Sequence, residues 1–582
     1  MKYRWSLAAP LPVVASGANI SPLLAQCLFN RGITEPEKMS LFLQPRLKDL
    51  ADPFLLPNMA AAVDRLLQAR ARGEALVIFG DYDVDGVTST ALLHEVLTKL
   101  GWKVHYYLPH RMEEGYGLSR DGVENCLKKF PVKLLLAVDC GSTSVEVIAS
   151  MREQGVDVIV LDHHQVSNPP PAAVALVNPQ LGVQPSGCPD SPPAEQPEGW
   201  TANFRELCSA GLAFKLAHAL LKRMRDNGEA AAQELDLREY LDLVALGTIA
   251  DLVPLTGENR ILATIGLKCL ENTQRPGLIA LKEVAQCKPP IGVYEVGFQL
   301  GPRLNAAGRL EDAELSLRLI LTRDTREAAK IALALDERNR ERQDIERTIA
   351  AEAIASVRGE FQPERDFVIV AGKPEWHIGV VGIVASRVLH EFYRPTIVLG
   401  GDGEHWRGSG RSIEGFDLAA ALRHCGDLFV RHGGHAMAAG ITIHPDKVSE
   451  FRTRFNDFAR TVLKPEMLQP RLDLDASVTA SDLTLATVDA LEKLQPSGQG
   501  NPPVRLLVRN LTHARMPQKM GKENQHVKLR VTDGRETLEA VWWNCRDAVM
   551  PGDNFDLAVT PQINEYNGKR TVQLKVLDWR AS

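Results

Sequence analysis

Three carboxylates stand at alternate positions in the stretch ALVIFGDYDVDGVTST, as Asp81, Asp83 and Asp85. Like charges this close repel one another, so the arrangement needs a cation or another compensation to persist. D-x-D-x-D-G opens an EF-hand calcium loop, but that loop closes on a bidentate Glu at its twelfth position, which here is Leu92. The flank also reads as a strand rather than a helix, so an EF-hand is excluded. Further acids follow at comparable points. Asp139 ends VKLLLAVD, Asp162 ends VDVIVLD with His163 and His164 directly after it, and Asp251 lies in LGTIADLVPL just past a helical segment. A single Asp after a strand is ordinarily a helix cap or a turn residue. Four such elements with a His-His pair among them point instead to a shared divalent-metal centre, which resolves the repulsion. A carboxylate-rich set with one or two imidazoles suits Mg²⁺ or Mn²⁺, and the imidazole favours Mn²⁺. Two such metals about 4 Å apart, sharing a carboxylate, clamp an in-line displacement at phosphorus. Cys140, next to Asp139, reads as buried packing.

The elements that must position these side chains alternate helix and strand. NMAAAVDRLLQARARG and VTSTALLHEVLTKLG have helical period, while EALVIFGD, KVHYYLP, VKLLLAVD and VDVIVLD are short apolar runs. Near-continuous apolar runs are what strands buried on both faces of a parallel sheet look like, so a doubly wound α/β domain is expected. In such a sheet ligands bind outside the carboxyl ends of the strands, where the acids lie. Residues 177–203 are rich in Pro and Gly and read as a surface loop. TREAAKIALALDERNRERQDIERTIAAEAIASV predicts a long charged helix bridging two domains. DFVIVAG, VVGIVASRVLHEF and RPTIVLG then predict a second α/β unit. The last part predicts short strands, with Asn567-Gly568 as a hairpin turn, hence a small β-barrel of OB-fold type.

Length and charge bound the rest. The 582 residues suffice for about three or four domains. Nine cysteines without a C-x-x-C pair fit reduced thiols, and no apolar run is long enough for a membrane span, so a cytoplasmic protein is expected. The N-terminal run MKYRWSLAAPLPVVASGA is faintly like a signal peptide, but two prolines interrupt it. Net charge is −6, yet residues 503–582 carry 13 Lys+Arg against 9 Asp+Glu. An acidic body with a basic C-terminal module is compatible with a metal-loaded part and a polyanion grip.

DYDVDG, VDCGS, LDHH and GTIADLVPL, in this order, resemble the four motifs of the DHH phosphoesterase superfamily. GPRLNAAGRL, WHIGVVGIVASR, GSGRS and GGHAMAAG resemble the DHHA1 accessory domain of the RecJ branch, the bacterial single-strand-specific 5′→3′ DNA exonucleases. The resemblance implies an N-terminal segment at 1–55 packing on the core, a DHH catalytic domain at 56–315 and a connecting helix at 316–360. A DHHA1 domain at 361–462 and an OB-fold-like nucleic-acid-binding domain at 463–582 follow, with the two α/β domains around a central cleft. It implies hydrolysis of single-stranded DNA from the 5′ end to 5′-mononucleotides, in DNA repair and recombination, with two Mn²⁺ or Mg²⁺ ions. A monomer is expected, with a helicase and a single-strand-binding protein as partners and no membrane.

Carried onto this sequence, Asp85, His163 and Asp251 would hold one metal with Asp139 bridging. Asp83, with Asp81, would hold the other, and His164 would orient a neighbour or the scissile phosphate. Arg303, Asn305 and Arg309 would offer donors to the polyanionic strand, His435 would contact the scissile phosphate, and the Gly-rich GSGRS would be a loop whose Ser409 and Arg411 meet phosphate. Arg111 and Tyr116 would lie by the 5′ end. Phe79 stands where pyrophosphatase-type relatives carry a metal-binding His, which implies a weaker second metal that arrives with substrate. Two other readings compete: a phosphodiesterase of the same superfamily acting on short oligonucleotides or cyclic dinucleotides, and a non-catalytic replication scaffold. The presence of all the motif acids counts against the scaffold.

Overall fold

The computed structural model describes residues 3–11, 20–110, 114–115, 117–181, 204–310, 313–401, 403–545 and 548–582, with the backbone alone at Arg309 and Leu310. Arg111, Tyr116 and most of the Pro/Gly-rich segment expected as a surface loop lie outside the described residues. The chain divides into two units. One comprises Arg31–Asn339 and Glu492–Pro503. The other comprises Met1–Asn30, where β1 (Arg4–Leu7) lies, with Arg340–Leu491 and Val504–Ser582.

The first unit is built on a five-stranded parallel sheet of β2 (Ala75–Gly80), β3 (Lys103–Tyr107), β4 (Leu134–Val138), β5 (Asp157–Leu161) and β6 (Ala175–Val177). Its order is β3-β2-β4-β5-β6. Alternate residues go to opposite faces, and both faces are covered. Ile78, Leu134, Leu136, Val138, Ile159 and Leu161 join one core, and Val77, Phe79, Leu135, Ala137, Val158 and Val160 join another. The apolar runs are continuous for this reason. Phe79 is fully buried and stacks on Tyr107, with ring centroids 5.5 Å apart. The direction of winding reverses between β2 and β4, which is the switch point where an open α/β sheet presents its crevice.

In the second unit, β7 (Ile369–Gly372) and β8 (Thr396–Gly400) are parallel, with the helix Val381–Phe392 between them. The strands β9 (Trp406–Arg411), β10 (Phe429–Gly434) and β11 (Ala438–Ile443) complete a sheet of order β10-β11-β9-β8-β7. β12 (Arg471–Leu474) pairs in parallel with β1. Beyond it, β13 (Ala476–Val478) lies on the edge of a ring formed by β14 (Leu506–Met520), β15 (His526–Thr532), β16 (Thr537–Trp542), β18 (Lys569–Ala581) and β17 (Phe555–Tyr566), which closes through β14–β17 pairing. The turn between β17 and β18 is Asn567-Gly568, with φ of 51° and 72°, the left-handed pair that a two-residue hairpin requires. The charged segment forms one helix, Thr325–Glu360, and the division between units falls inside it.

The GSGRS segment is not a loop: Gly408–Arg411 lies in β9, a central strand. Its glycines have a packing cause. A Cβ on Gly408 would come 2.5 Å from Leu399, and one on Gly410 would come 2.5 Å from Ile397. The glycine face lies on the core, so Ser409 and Arg411 share the other face.

Gly266 is a comparable contact in the first unit. Its helix, Gly257–Glu271, crosses Leu241–Ala250 so closely that a Cβ would lie 2.3 Å from the Leu241 carbonyl oxygen. Backbone cannot yield as a side-chain end can. Gly266→Ala gains about 1 kcal/mol of helix propensity, yet it should destabilise the protein by about 1–3 kcal/mol net, as overpacking does. Urea unfolding measures this, and an unchanged or raised midpoint would overturn it.

Candidate metal centre

Asp81 follows β2 directly and is buried, and its amide donates to the Val138 carbonyl at 3.2 Å. Asp83 caps the helix Val84–Lys99, accepting from the Gly86 amide at 3.1 Å. Asp85, in the first turn of that helix, is buried and accepts from the amides of Ser209 at 2.7 Å and Ala210 at 2.8 Å, which open the helix Ser209–Asp226. Asp139 follows β4 with φ +64°, an uncommon conformation for a residue with a side chain, and accepts from Ser209 Oγ at 2.9 Å. Asp251 caps the C-terminus of the helix Leu241–Ala250.

His163 Nε2 binds these elements into one cluster. It lies 3.4 Å from Asp251 Oδ2, 3.5 Å from Asp139 Oδ1 and 3.9 Å from Asp85 Oδ2. Ligand atoms of Asp85, His163 and Asp251 fall within 4.8 Å of one another, and so do those of Asp81, Asp83 and Asp139. Asp139 also groups with His163 and His164 at that spacing, so it faces both sets.

Burial pushes the Asp139 carboxyl well above the usual carboxylate range, and the charges of Asp85, Asp83, Asp81 and Asp251 add to the rise. Burial, then Asp85 and Asp83, push Asp251 up to about 9. Burial raises Asp85 as well. Burial lowers the pKa of His163 against the opposing charge of Asp85, and its buried Nε2 makes no hydrogen bond among the described residues. Five crowded acids and an imidazole nitrogen aimed among them are the donor set a divalent cation takes up, and they fit such an ion.

The neighbouring imidazole behaves oppositely. Burial disfavours charge on His164, but the hydrogen bond and charge of Asp162 outweigh it and raise His164 to about 9. Asp162 is itself buried, which would raise it, yet bonds from His164 and Ser142 hold it well below the usual range. Asp162 accepts from His164 Nδ1 at 2.7 Å and from the amides of Ser142, His163 and His164. It fixes the turn that aims His163 into the cluster.

Asn305 is brought to the cluster: its Oδ1 accepts from the Val84 amide at 3.1 Å and so caps the helix that presents Asp83 and Asp85. Arg303 is not free for a phosphate, because its Nε donates to Asp336 at 2.9 Å and its Nη1 to the Gln299 carbonyl. Arg309 is placed on the helix Gly301–Leu310 by its backbone alone. In the second unit, His435 stands exposed at the tip of the β10–β11 hairpin, its amide on the Ala438 carbonyl. Arg411 donates to Ser409 Oγ at 2.9 Å, and a Cβ on Gly382 would lie 3.1 Å from its guanidinium. This side chain therefore rests on the first turn of the helix Val381–Phe392. Burial lowers its pKa, and no acid pairs with it among the described residues.

Sequence reasoning missed Ser209, Gly86 and Gly247. Ser209 serves both Asp139 and Asp85, and its only signal is a hydroxyl at a helix start. A Cβ on Gly86 would come 2.4 Å from the Asp81 carbonyl oxygen, and one on Gly247 would come 2.7 Å from Asp85 Oδ1. Both glycines leave room for the acids.

Comparison with known proteins places this geometry. The family models for the DHH family N-terminal domain, the DHHA1 domain and the RecJ OB domain match residues 75–248, 365–461 and 474–578. The chain is 38% identical to the single-stranded-DNA-specific exonuclease RecJ of Bacillus subtilis, over 99% of its own length and 71% of that protein. The chain belongs to the RecJ family. It is also 34% identical to Escherichia coli RecJ, over 96% of this chain and 95% of that protein. The crystal structure of Thermus thermophilus RecJ in complex with Mn²⁺ superposes with a TM-score of 0.82 at 30% identity, covering all of this chain and 80% of that one. A further crystal structure of the Thermus RecJ contains Mg²⁺.

The raised acids make a testable claim about the metal-free protein. An unfolded Asp titrates near 4, whereas folded Asp251 holds its proton up to about 9. Between these values the unfolded state binds fewer protons, so stability falls as pH rises. His164, raised to about 9, contributes stability that is likewise lost as pH rises through that value. In EDTA the Tm should drop from pH 5.5 to pH 8.5, and saturating Mn²⁺ should flatten that slope. A metal-free Tm that rises over this interval would overturn the assignment of raised acids.

Proposed function

We propose that this protein is a metal-dependent exonuclease that degrades single-stranded DNA 5′→3′ to 5′-mononucleotides, in DNA repair and recombination. The observation that carries the reading is the convergence of Asp81, Asp83, Asp85, Asp139, His163 and Asp251 at the switch point of the DHH sheet. The related proteins' names supply the substrate, and the Mn²⁺ and Mg²⁺ complexes of the Thermus protein supply the metal class. Asp85, His163 and Asp251 would hold one ion, Asp83 with Asp81 the other, and Asp139 would bridge. Bound there, two ions supply a hydroxide near neutral pH and neutralise charge at phosphorus. His164, kept cationic by Asp162, offers a positive hydrogen-bond donor to the scissile phosphate. Ser409 and Arg411, with Arg111, would hold the 5′-terminal phosphate: a half-buried guanidinium without an acid among the described residues, on a helix N-terminus, suits an anion. Tyr116, Arg303, Asn305, Arg309 and His435 remain assigned to the strand, with Arg303 and Asn305 acting through the elements they brace.

In this reading residues 56–315 are catalytic and 463–582 grip the strand. The family match in the C-terminal ring favours long strands over the alternative of short oligonucleotides or cyclic dinucleotides. A helicase and a single-strand-binding protein as partners, a monomeric state and a cytoplasmic location complete the proposal. No helix of the described residues is long and apolar enough to cross a membrane.

Asp139→Ala should abolish hydrolysis while single-strand binding in EDTA survives. Activity within about tenfold of wild type, roughly 1.4 kcal/mol of barrier, would sink the two-metal assignment. For polarity, the wild type should degrade a 5′-phosphorylated strand faster than a 5′-hydroxyl strand, and Arg411→Ala should erase that difference. Equal wild-type rates on the two ends would refute the phosphate pocket.

A further inference from the structure

Tyr294 and Phe298 are large aromatic side chains left in water, 61% and 69% exposed. Their rings stack on each other, with centroids 5.2 Å apart and planes 27° from parallel. Such a pair covers only part of each ring and leaves broad apolar faces open. The backbone beneath is unusual too. Phe298 lies in a π-helix, Glu295–Leu300, a form that occurs mostly as single turns and frequently at functional sites. The acid between the two rings, Glu295, is turned back onto the Gly292 amide at 2.8 Å.

The position of this pair gives it meaning. The π-helix packs on the helix Leu241–Ala250. A Cβ on Gly301, at its end, would lie 3.7 Å from the Ala250 side chain, and the next residue on that side is Asp251. The π-helix then runs directly into Gly301–Leu310, whose Asn305 caps the helix that presents Asp83 and Asp85. The aromatic pair is thus fixed to two elements that set the geometry of the metal centre. Leu252, immediately after Asp251, is 69% exposed with φ +60°, a further apolar side chain held out beside a cluster acid.

We propose that Tyr294 and Phe298 form a nucleobase platform, on which one or two bases of the single strand stack while its phosphates meet the metal centre. This rests on the nuclease reading above and names a subsite for it. Stacking suits the task because every base has a π-face, so the grip does not depend on sequence. It also demands unpaired bases, so a platform tied to the metal centre favours a single strand over a duplex. A patch for a protein partner is the competing use of such rings, and the test separates the two.

The experiment is a scan in which one abasic site is moved along the first ten or so nucleotides of a fluorescent single strand. Affinity of the full chain is measured by anisotropy in EDTA. Wild type should lose about fivefold or more at one or two adjacent positions, the range of a single base–aromatic stack. Tyr294→Ala/Phe298→Ala should bind the intact strand as weakly as wild type binds the abasic one, and should be indifferent to the abasic site. Phe298→Trp should keep the dip and Phe298→Leu should lose it, which separates stacking from apolar contact. Both side chains are exposed, so the fold should survive, and the Tm in Mn²⁺ checks this. An identical abasic profile in wild type and the double variant would overturn the platform and favour a protein-binding patch. Hydrolysis is scored separately in Mn²⁺. A wild type that binds the strand without cutting it would fail the nuclease reading and leave the platform test readable.

Discussion

The structure of the first unit is organised around the repulsion among five buried or half-buried acids. In water, Asp81, Asp83, Asp85, Asp139 and Asp251 would separate. Here a parallel sheet and three helices hold them within a few ångströms of one another. The amides that open the helix Ser209–Asp226 donate to Asp85, and Ser209 Oγ donates to Asp139. Those bonds offset part of the burial without neutralising it, because both acids remain displaced toward their protonated forms. A helix N-terminus is worth about half a positive charge. Compensation by protons or by divalent ions makes up the rest, which ties metal affinity to pH.

The second unit poses the inverse problem. Arg411 is a half-buried cation that lies against a helix N-terminus and has no acid beside it among the described residues. Here the protein lacks negative charge where the metal centre has too much. An anion such as phosphate has the charge that Arg411 lacks, and a divalent cation has the charge that the acid cluster lacks, so the two places call for counter-ions of opposite sign. Asp162 and His164 show the alternative of internal compensation. They neutralise each other within one hydrogen bond, and the cation so fixed faces the cluster.

What was legible in the sequence follows from how each feature is encoded. The parallel sheet was visible because strands buried on both faces leave unbroken apolar runs, and Asp81, Asp139 and Asp162 were visible because three of those runs end on them. The hairpin at Asn567-Gly568 was visible because only a few residue types accept two successive left-handed conformations. The GSGRS segment misled, since glycines admit both tight loops and close packing. In β9 they make room for Leu399 and Ile397, a tertiary fact with no local signature. Arg303 misled in a similar way: its partner, Asp336, is 33 residues away on the helix Thr325–Glu360. Ser209 was invisible because its importance lies in what it touches.

The segment that leads into the C-terminal ring shows the same limit more sharply. Glu492–Pro503 belongs to the first unit, although the composition of the region gives no sign of it. Arg260 is buried and has no carboxylate partner among the described residues. It donates instead to the carbonyls of Lys493, Leu494, Gln495 and Phe42, and its pKa is pushed down to about 10, chiefly by burial. The Leu255 amide donates to the Gln499 carbonyl at 2.8 Å, and a Cβ on Gly498 would come 2.8 Å from Leu255. Leu255 ends the DLVPL stretch that Asp251 opens, so the segment braces the loop following a cluster acid. Cutting the chain before residue 492 would leave a buried guanidinium with the Phe42 carbonyl but without its acceptors at Lys493, Leu494 and Gln495, a loss of several kcal/mol by the usual cost of an under-compensated buried charge. It would also free the loop after Asp251. A truncation that slowed turnover would thus report damage to the metal centre as readily as loss of a DNA grip. Charge-removing substitutions on the ring itself, which leave Glu492–Pro503 in place, are the changes that isolate its contribution to binding.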